Sequence, residues 1–92
     1  VLGQHERAIQ DYTEAIRFDP EYEVAYYNRG DAYYDLGQFE KAVKEFTEAI
    51  RVDPHCAFAY ASRSNAYERL DQHDKADADR RRYLELILEA AK

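Results

Sequence analysis

Apolar side chains recur along this chain at intervals of three and four, the period of a helix that buries one face. Phe39, Ala42, Val43, Phe46, Ala49 and Ile50 form one such stripe, and Ala8, Ile9, Tyr12, Ala15 and Ile16 form another. A third runs through Ala25, Tyr26, Arg29, Ala32, Tyr33 and Leu36. Two kinds of punctuation separate the stripes. Gly37 supplies the left-handed residue that stops a helix, while Asp19-Pro20 and Asp53-Pro54 break the chain where proline cannot continue a helix interior. The spacing predicts five helices, over about Gln4 to Phe18, Glu21 to Leu36, Gln38 to Val52, His55 to Leu70 and Gln72 to Ala91.

The pattern repeats. A shift of 34 residues lays LGQHERAIQDYTEAIRFDP (Leu2 to Pro20) on LGQFEKAVKEFTEAIRVDP (Leu36 to Pro54). Roughly two thirds of those positions are identical, which marks an array. The same shift lays Ala25 to Ala42 on Ala59 to Ala76. The organisation expected is one domain over 1–92. It comprises the second helix of a partial first unit (1–22), a full unit (23–56) and a degenerate last unit (57–92) with an extended final helix that caps the array.

Composition narrows what the array does. Nineteen Asp and Glu against 13 Lys and Arg leave a net charge of −6, which repels phosphate backbones and argues against a nucleic-acid partner. Leu, Ile, Val and Phe make up roughly a fifth of the chain, the edge at which disorder becomes an option. The 9 tyrosines and many alanines point to an ordered core instead, because both recur at helical spacing and fit large rings against small residues. No apolar run is long enough to cross a bilayer, so no membrane role is expected. The single cysteine, Cys56, has no internal partner, which allows a reducing compartment; this favours the cytoplasm but leaves the compartment open. The chain begins with Val1 inside a helical pattern and reads as part of a longer protein.

Candidate chemistry is sparse. His5 and His73 fall where the central unit has Phe39, so they are read as stand-ins for that ring at the hairpin turn. His55-Cys56 has no second pair at zinc-finger spacing, and there is neither a glycine-rich phosphate loop nor a nucleophile elbow. The basic run Arg80-Arg81-Arg82 is interleaved with Asp74, Asp77, Asp79 and Glu85, which pair with it or screen it on a solvated helix face. No catalytic residue, metal site or cofactor is expected.

Tyr26, Gly30, Tyr33, Gly37, Ala42, Phe46, Ala49 and Pro54 stand in the register of a known signature, and with them the chain resembles the tetratricopeptide repeat. Ala8, Tyr12, Ala15 and Pro20 carry the resemblance in the first unit; Tyr60, Tyr67 and Ala76 carry it in the last. Arg29 and Arg63 replace the leucine usual there, Ser64 and Asp71 replace two glycines, and Arg80 and Tyr83 replace an aromatic and an alanine. The arginine stems are expected to fill the leucine's space while each guanidinium reaches a carboxylate or helix-end carbonyl of a neighbouring hairpin.

The resemblance implies an all-α, right-handed superhelix of stacked helical hairpins whose first helices line a concave peptide groove. It places Val24, Tyr27, Asn28, Asp31, Tyr34 and Asp35 on that groove, with Phe58, Ala61, Ser62, Asn65, Glu68 and Arg69 in the next unit. The expected partner is an extended protein segment. Asn28 and Asn65 suit its backbone, Tyr27, Tyr34 and Phe58 form apolar walls, and Asp31, Asp35 and Glu68 favour Lys or Arg. Family members that hold the acidic EEVD tails of chaperones use a Lys, Arg and Asn clamp. Asn28 matches one clamp position, but the basic ones fall near Phe58 and Ser62 and Asp31 repels an anion, so that tail is not expected. Two alternatives stand beside peptide capture. One is a homo-oligomer formed through Ile9, Tyr12 and Ile16 at one end and Leu84, Ile87, Leu88 and Ala91 at the other; the second is an accessory segment of a larger enzyme.

Overall fold

The computed structural model describes residues 2–92; Val1, the first residue of the expected 1–22 unit, lies outside them. Among the described residues there are five helices, α1 (Gln4–Phe18), α2 (Glu23–Asp35), α3 (Phe39–Val52), α4 (Ala57–Arg69) and α5 (His73–Ala90), and no strand. Each packs on its neighbours in sequence, and α2 also touches α4, so the hairpins α2/α3 and α4/α5 stack in a row behind α1. The result is elongated, 44 × 29 × 17 Å, as expected when each unit is buried only by the next.

The middle helices start later than periodicity predicts, at Glu23 and Ala57 instead of Glu21 and His55. The Asp-Pro corner takes up the difference. Asp19 Oδ1 accepts the Glu21 N–H at 3.1 Å and the Asp19 carbonyl accepts the Tyr22 N–H at 3.1 Å. Asp53 repeats both bonds with His55 and Cys56, each at 3.1 Å. An aspartate that binds its own backbone two residues on forms a turn, and the helix follows it.

At the other corner Gly37 adopts φ +77°. Gly37 and Gln38 donate their N–H groups to Tyr34 and Tyr33, each at 2.9 Å, closing the end of α2. Asp71 takes the same place after α4 with φ 58°, a conformation that aspartate tolerates better than other residues with a Cβ.

Alanine and aromatic residues make the core: Ala25, Ala32, Ala42, Ala49, Ala59, Ala66 and Ala76 are buried together with Tyr26 and Phe46. Gly30 is there because of Phe46. A Cβ at Gly30 would stand 2.6 Å from the Phe46 ring. One repeat later both partners change: Arg80, exposed, replaces Phe46, and the space released admits Ser64, whose hydroxyl donates to the Ala76 carbonyl at 2.9 Å.

Arg29 and Arg63 each bind two neighbours. Arg63 holds the buried Asp79 through two bonds of 2.8 and 2.7 Å and donates to Thr47 Oγ1 at 3.1 Å. Arg29 binds Glu45 and donates to Thr13 Oγ1 at 3.1 Å. The expectation of a carboxylate from a neighbouring hairpin is corrected here. The carboxylate comes from the arginine's own hairpin, and the neighbour's share is a threonine hydroxyl. The reason is geometric: the acid faces the arginine across the hairpin, whereas the preceding second helix presents Thr13 or Thr47. Asp79 is accordingly drawn inward, away from the basic run that it was expected to screen; Asp77 and Glu85 pair with Arg80 and Arg82 instead.

The terminal helices differ from the middle. No residue of α1 is buried. Ile16 nevertheless packs against the cluster of Tyr26, Ala49 and Ala59, so the open side of α1 is not the Ile9, Tyr12 and Ile16 face as a whole. It is the side of Ala8, Asp11, Tyr12 and Ala15, whose equivalents Ala42, Glu45, Phe46 and Ala49 are all buried in α3. At the other end Leu86 is buried while Leu84, Ile87 and Leu88 are exposed.

Candidate functional site

The seam between α2 and α4 gathers most of the residues expected to bind. Equivalent positions of the two units meet there: Val24 and Phe58, 34 residues apart, line one opening, and Asp31 and Asn65 line the other. At the N-terminal end of the seam Glu23, Val24, Tyr27, Asp53, Cys56 and Phe58 line a cavity of about 180 Å³. Val24 and Phe58 are 41% and 64% exposed, a large outlay of apolar surface for positions beside a core. Further along, Asp31, Tyr34, Phe46, Ser62 and Asn65 line a smaller cleft of about 110 Å³.

Tyr27 separates the two. Its ring lies 5.7 Å from that of Phe46, and its hydroxyl and Ser62 Oγ share a hydrogen bond of 3.0 Å that ties α2 to α4. Burial pushes the Tyr27 phenol above its ordinary value although the Ser62 bond opposes the shift. Burial also raises Asp31, and the neighbouring Asp35 carboxylate adds to it. Asp31 is therefore an anion held at a cost, in a cleft where a cation would relieve both causes.

The remaining expected residues are placed differently. Asn28 is half-buried and Asn65 exposed on the same stripe. Asp35 stands 3.9 Å from His5 of α1. Arg69 lies over the Phe39 ring at 4.6 Å, the equivalent contact one repeat later. His5 thus occupies the Phe39 position in its contact with the next hairpin. Glu68 turns towards α5, where it meets His73 at 3.1 Å and Arg80 at 3.8 Å. Tyr34 packs edge-on to Phe39, with centroids 5.1 Å apart, while still lining the smaller cleft. Ala61 borders a different opening, shared with Ser64, Asn65, Arg80, Tyr83 and Leu84.

Sequence reasoning missed Glu23, Asp53 and Cys56 at the apolar cavity. Asp53 and Cys56 belong to the corner between hairpins, and nothing in a helical stripe points to a corner residue. Among the described residues no group of three or more His, Cys, Asp or Glu is placed to hold a metal ion, and no helix is long and apolar enough to cross a membrane.

Residues 2–37 match a family model described as TPR repeat, and residues 24–56 match one described as Tetratricopeptide repeat. The chain belongs to the tetratricopeptide-repeat family. Solved tetratricopeptide structures superimpose closely. The second TPR of Spaghetti (RPAP3), bound to the HSP90 peptide SRMEEVD, is 34% identical with a TM-score of 0.88, over 91% of this chain and 78% of that one. The TPR domain of Arabidopsis OM64 is 35% identical with a TM-score of 0.88, over 90% and 69%. MamA is 30% identical with a TM-score of 0.93, and the match spans 96% of this chain but only 52% of MamA. Among curated proteins none matches significantly. The tetratricopeptide fold is one that serves protein interaction, and the all-α stack of hairpins is the architecture shared with these domains.

Proposed function

We propose that this tetratricopeptide array is a non-catalytic interaction module that binds an extended, basic protein segment along the seam of α2 and α4. The observation that carries the reading is the pairing of exposed Val24 and Phe58 with the desolvated Asp31 on one continuous stripe. Two related domains are solved with the peptide SRMEEVD in place, which supports peptide capture in general. An acidic tail does not suit this seam. Phe58 and Ser62 are uncharged, Asp31 lines the smaller cleft, and Glu23 and Asp53 line the apolar cavity. Val24, Tyr27, Asn28, Asp31, Ser62, Asn65 and Phe58 make the site, with Tyr34 and Asp35 at its far end. Glu68 and Arg69 border it in the second unit, engaged by His73, Arg80 and Phe39 as Asp35 is by His5 in the first.

Selection from a random displayed peptide library tests this, run on the chain and on an Asp31→Lys, Asp35→Lys variant. Peptides rich in Lys or Arg are expected from the first and absent from the second. The same peptides from both, or none from either, would sink the reading.

The exposed Leu84, Ile87 and Leu88 favour a second reading, self-association through α5. Light scattering across a dilution series checks it, since a mass that stays monomeric at every concentration removes it.

A further inference from the structure

The two openings of the seam differ in chemistry and lie at a fixed separation. Val24 and Asp31 are seven residues apart on α2, and Phe58 and Asn65 are seven apart on α4, so both walls advance by the same amount. At 1.5 Å per residue that is an axial advance of about 10.5 Å along each helix, from the residue that lines the apolar cavity to the one that lines the acidic cleft. The cavity is almost entirely apolar inside and exceeds the roughly 150 Å³ that accommodates a benzene molecule in other proteins, so one leucine- or phenylalanine-sized side chain fits it. The cleft presents the Asp31 carboxylate beside the Asn65 amide and the Ser62 hydroxyl.

An extended ligand must bring two side chains to the same wall about 10.5 Å apart. A β-strand returns to one face every two residues, at about 6.7 Å and then about 13.4 Å, and misses by about 4 Å in the first case and about 3 Å in the second. A polyproline II segment returns every three residues, at about 9.3 Å, and misses by about 1 Å. Its carbonyls are free, so it accepts from the Asn28 and Asn65 amides without needing an N–H of its own, and aromatic walls such as Tyr27 and Phe58 are the kind on which it docks.

Resting on the groove reading above, we infer that the ligand is a polyproline II segment with an apolar residue and a Lys or Arg three positions apart. The apolar side chain fills the Val24, Tyr27, Cys56 and Phe58 cavity, and the cation meets Asp31. Tyr27, tied to Ser62, forms the ridge over which the two intervening residues pass.

Fluorescence anisotropy with labelled, glycine-flanked peptides tests the register. Leu-Pro-Pro-Arg and the reversed Arg-Pro-Pro-Leu are compared with Leu-Pro-Arg, Leu-Pro-Pro-Pro-Arg and Leu-Pro-Pro-Glu. One of the two spacing-three arginine peptides is expected to bind about tenfold tighter than every comparator, a factor equal to one good contact. Phe58→Ala weakens that peptide about tenfold and reduces its advantage over an Ala-Pro-Pro-Arg peptide, while Asp31→Asn removes the advantage of Arg over Glu. Circular dichroism checks the fold of both variants, which is expected to survive because Phe58 is exposed and Asp31 only half-buried. Equal binding of all arginine peptides, still abolished by Asp31→Lys with Asp35→Lys, overturns the register and leaves the groove standing. No binding by any peptide, together with an empty library selection, overturns both.

Discussion

At Gly30 the requirement is space. The Phe46 ring occupies the volume that a Cβ would need, 2.6 Å away, and the neighbouring helices leave that ring no other room. Gly30→Ala is expected to cost about 1–3 kcal/mol by overpacking, measured by urea denaturation. Asp31 presents the opposite case, a residue whose present state is strained electrostatically. Its folded carboxyl holds a proton more tightly than the unfolded chain, whose ordinary value is 3.8. Through the window that opens above that value the folded state binds more protons, so stability falls as pH rises, and the deficit persists at neutral pH. Asp31→Asn is therefore expected to raise the melting temperature at pH 7, with the gain gone below pH 3.8, while weakening cationic peptides. A variant less stable at pH 7 would contradict this. Neither property was legible in the sequence. The family resemblance put Asp31 among the expected groove residues, but its desolvation depends on what α4 places beside it.

Among the elements, the corners and the arginine bridges decide how one hairpin meets the next. Thr13, Arg29 and Glu45 recur as Thr47, Arg63 and Asp79, each step 16 residues, so one side-chain set spans three consecutive helices twice. The burial of Asp79 makes its loss costly, since Arg63 would be left without its carboxylate. Asp79→Ala is expected to destabilise by about 3 kcal/mol and Thr47→Val by about 1 kcal/mol or less, both read from the denaturation midpoint. The arginines were recognisable as departures from the leucine pattern, and their need for a carboxylate or a helix-end carbonyl followed from charge alone. Which carboxylate did not follow, because a helix pair brings residues 16 apart into contact and the competing acids Asp74, Asp77 and Glu85 stand on the same helix as Asp79. The late starts of α2 and α4 have a similarly local origin: the aspartate before each proline spends its side chain on the turn.

Across the whole molecule the units are linked only to their neighbours, so protection should fall towards the ends. Hydrogen exchange is expected to be slowest in α3, whose Ala42, Phe46 and Ala49 are fully buried, and fastest in α1, where nothing is buried. A pattern led by α1 would mean that its open side is covered in solution. The seam also belongs to this scale, because its walls come from two units and its floor from the Phe46 of α3.

Period and punctuation were written in the chain: apolar spacing sets helices, glycine and proline end them, and a 34-residue recurrence obliges the helices to stack as repeated hairpins. These are local constraints or copies of local constraints, and a linear pattern carries them fully. Which contacts each residue of the α2 and α4 stripes makes was decided only by packing. Glu68 and Arg69 share the stripe's spacing with Asn65 and Ser62, yet His73, Arg80 and Phe39 engage them, while Asp53 and Cys56 arrive at the cavity from a corner. Such choices turn on which neighbour wins each charge or ring, and that competition exists only once the helices lie side by side.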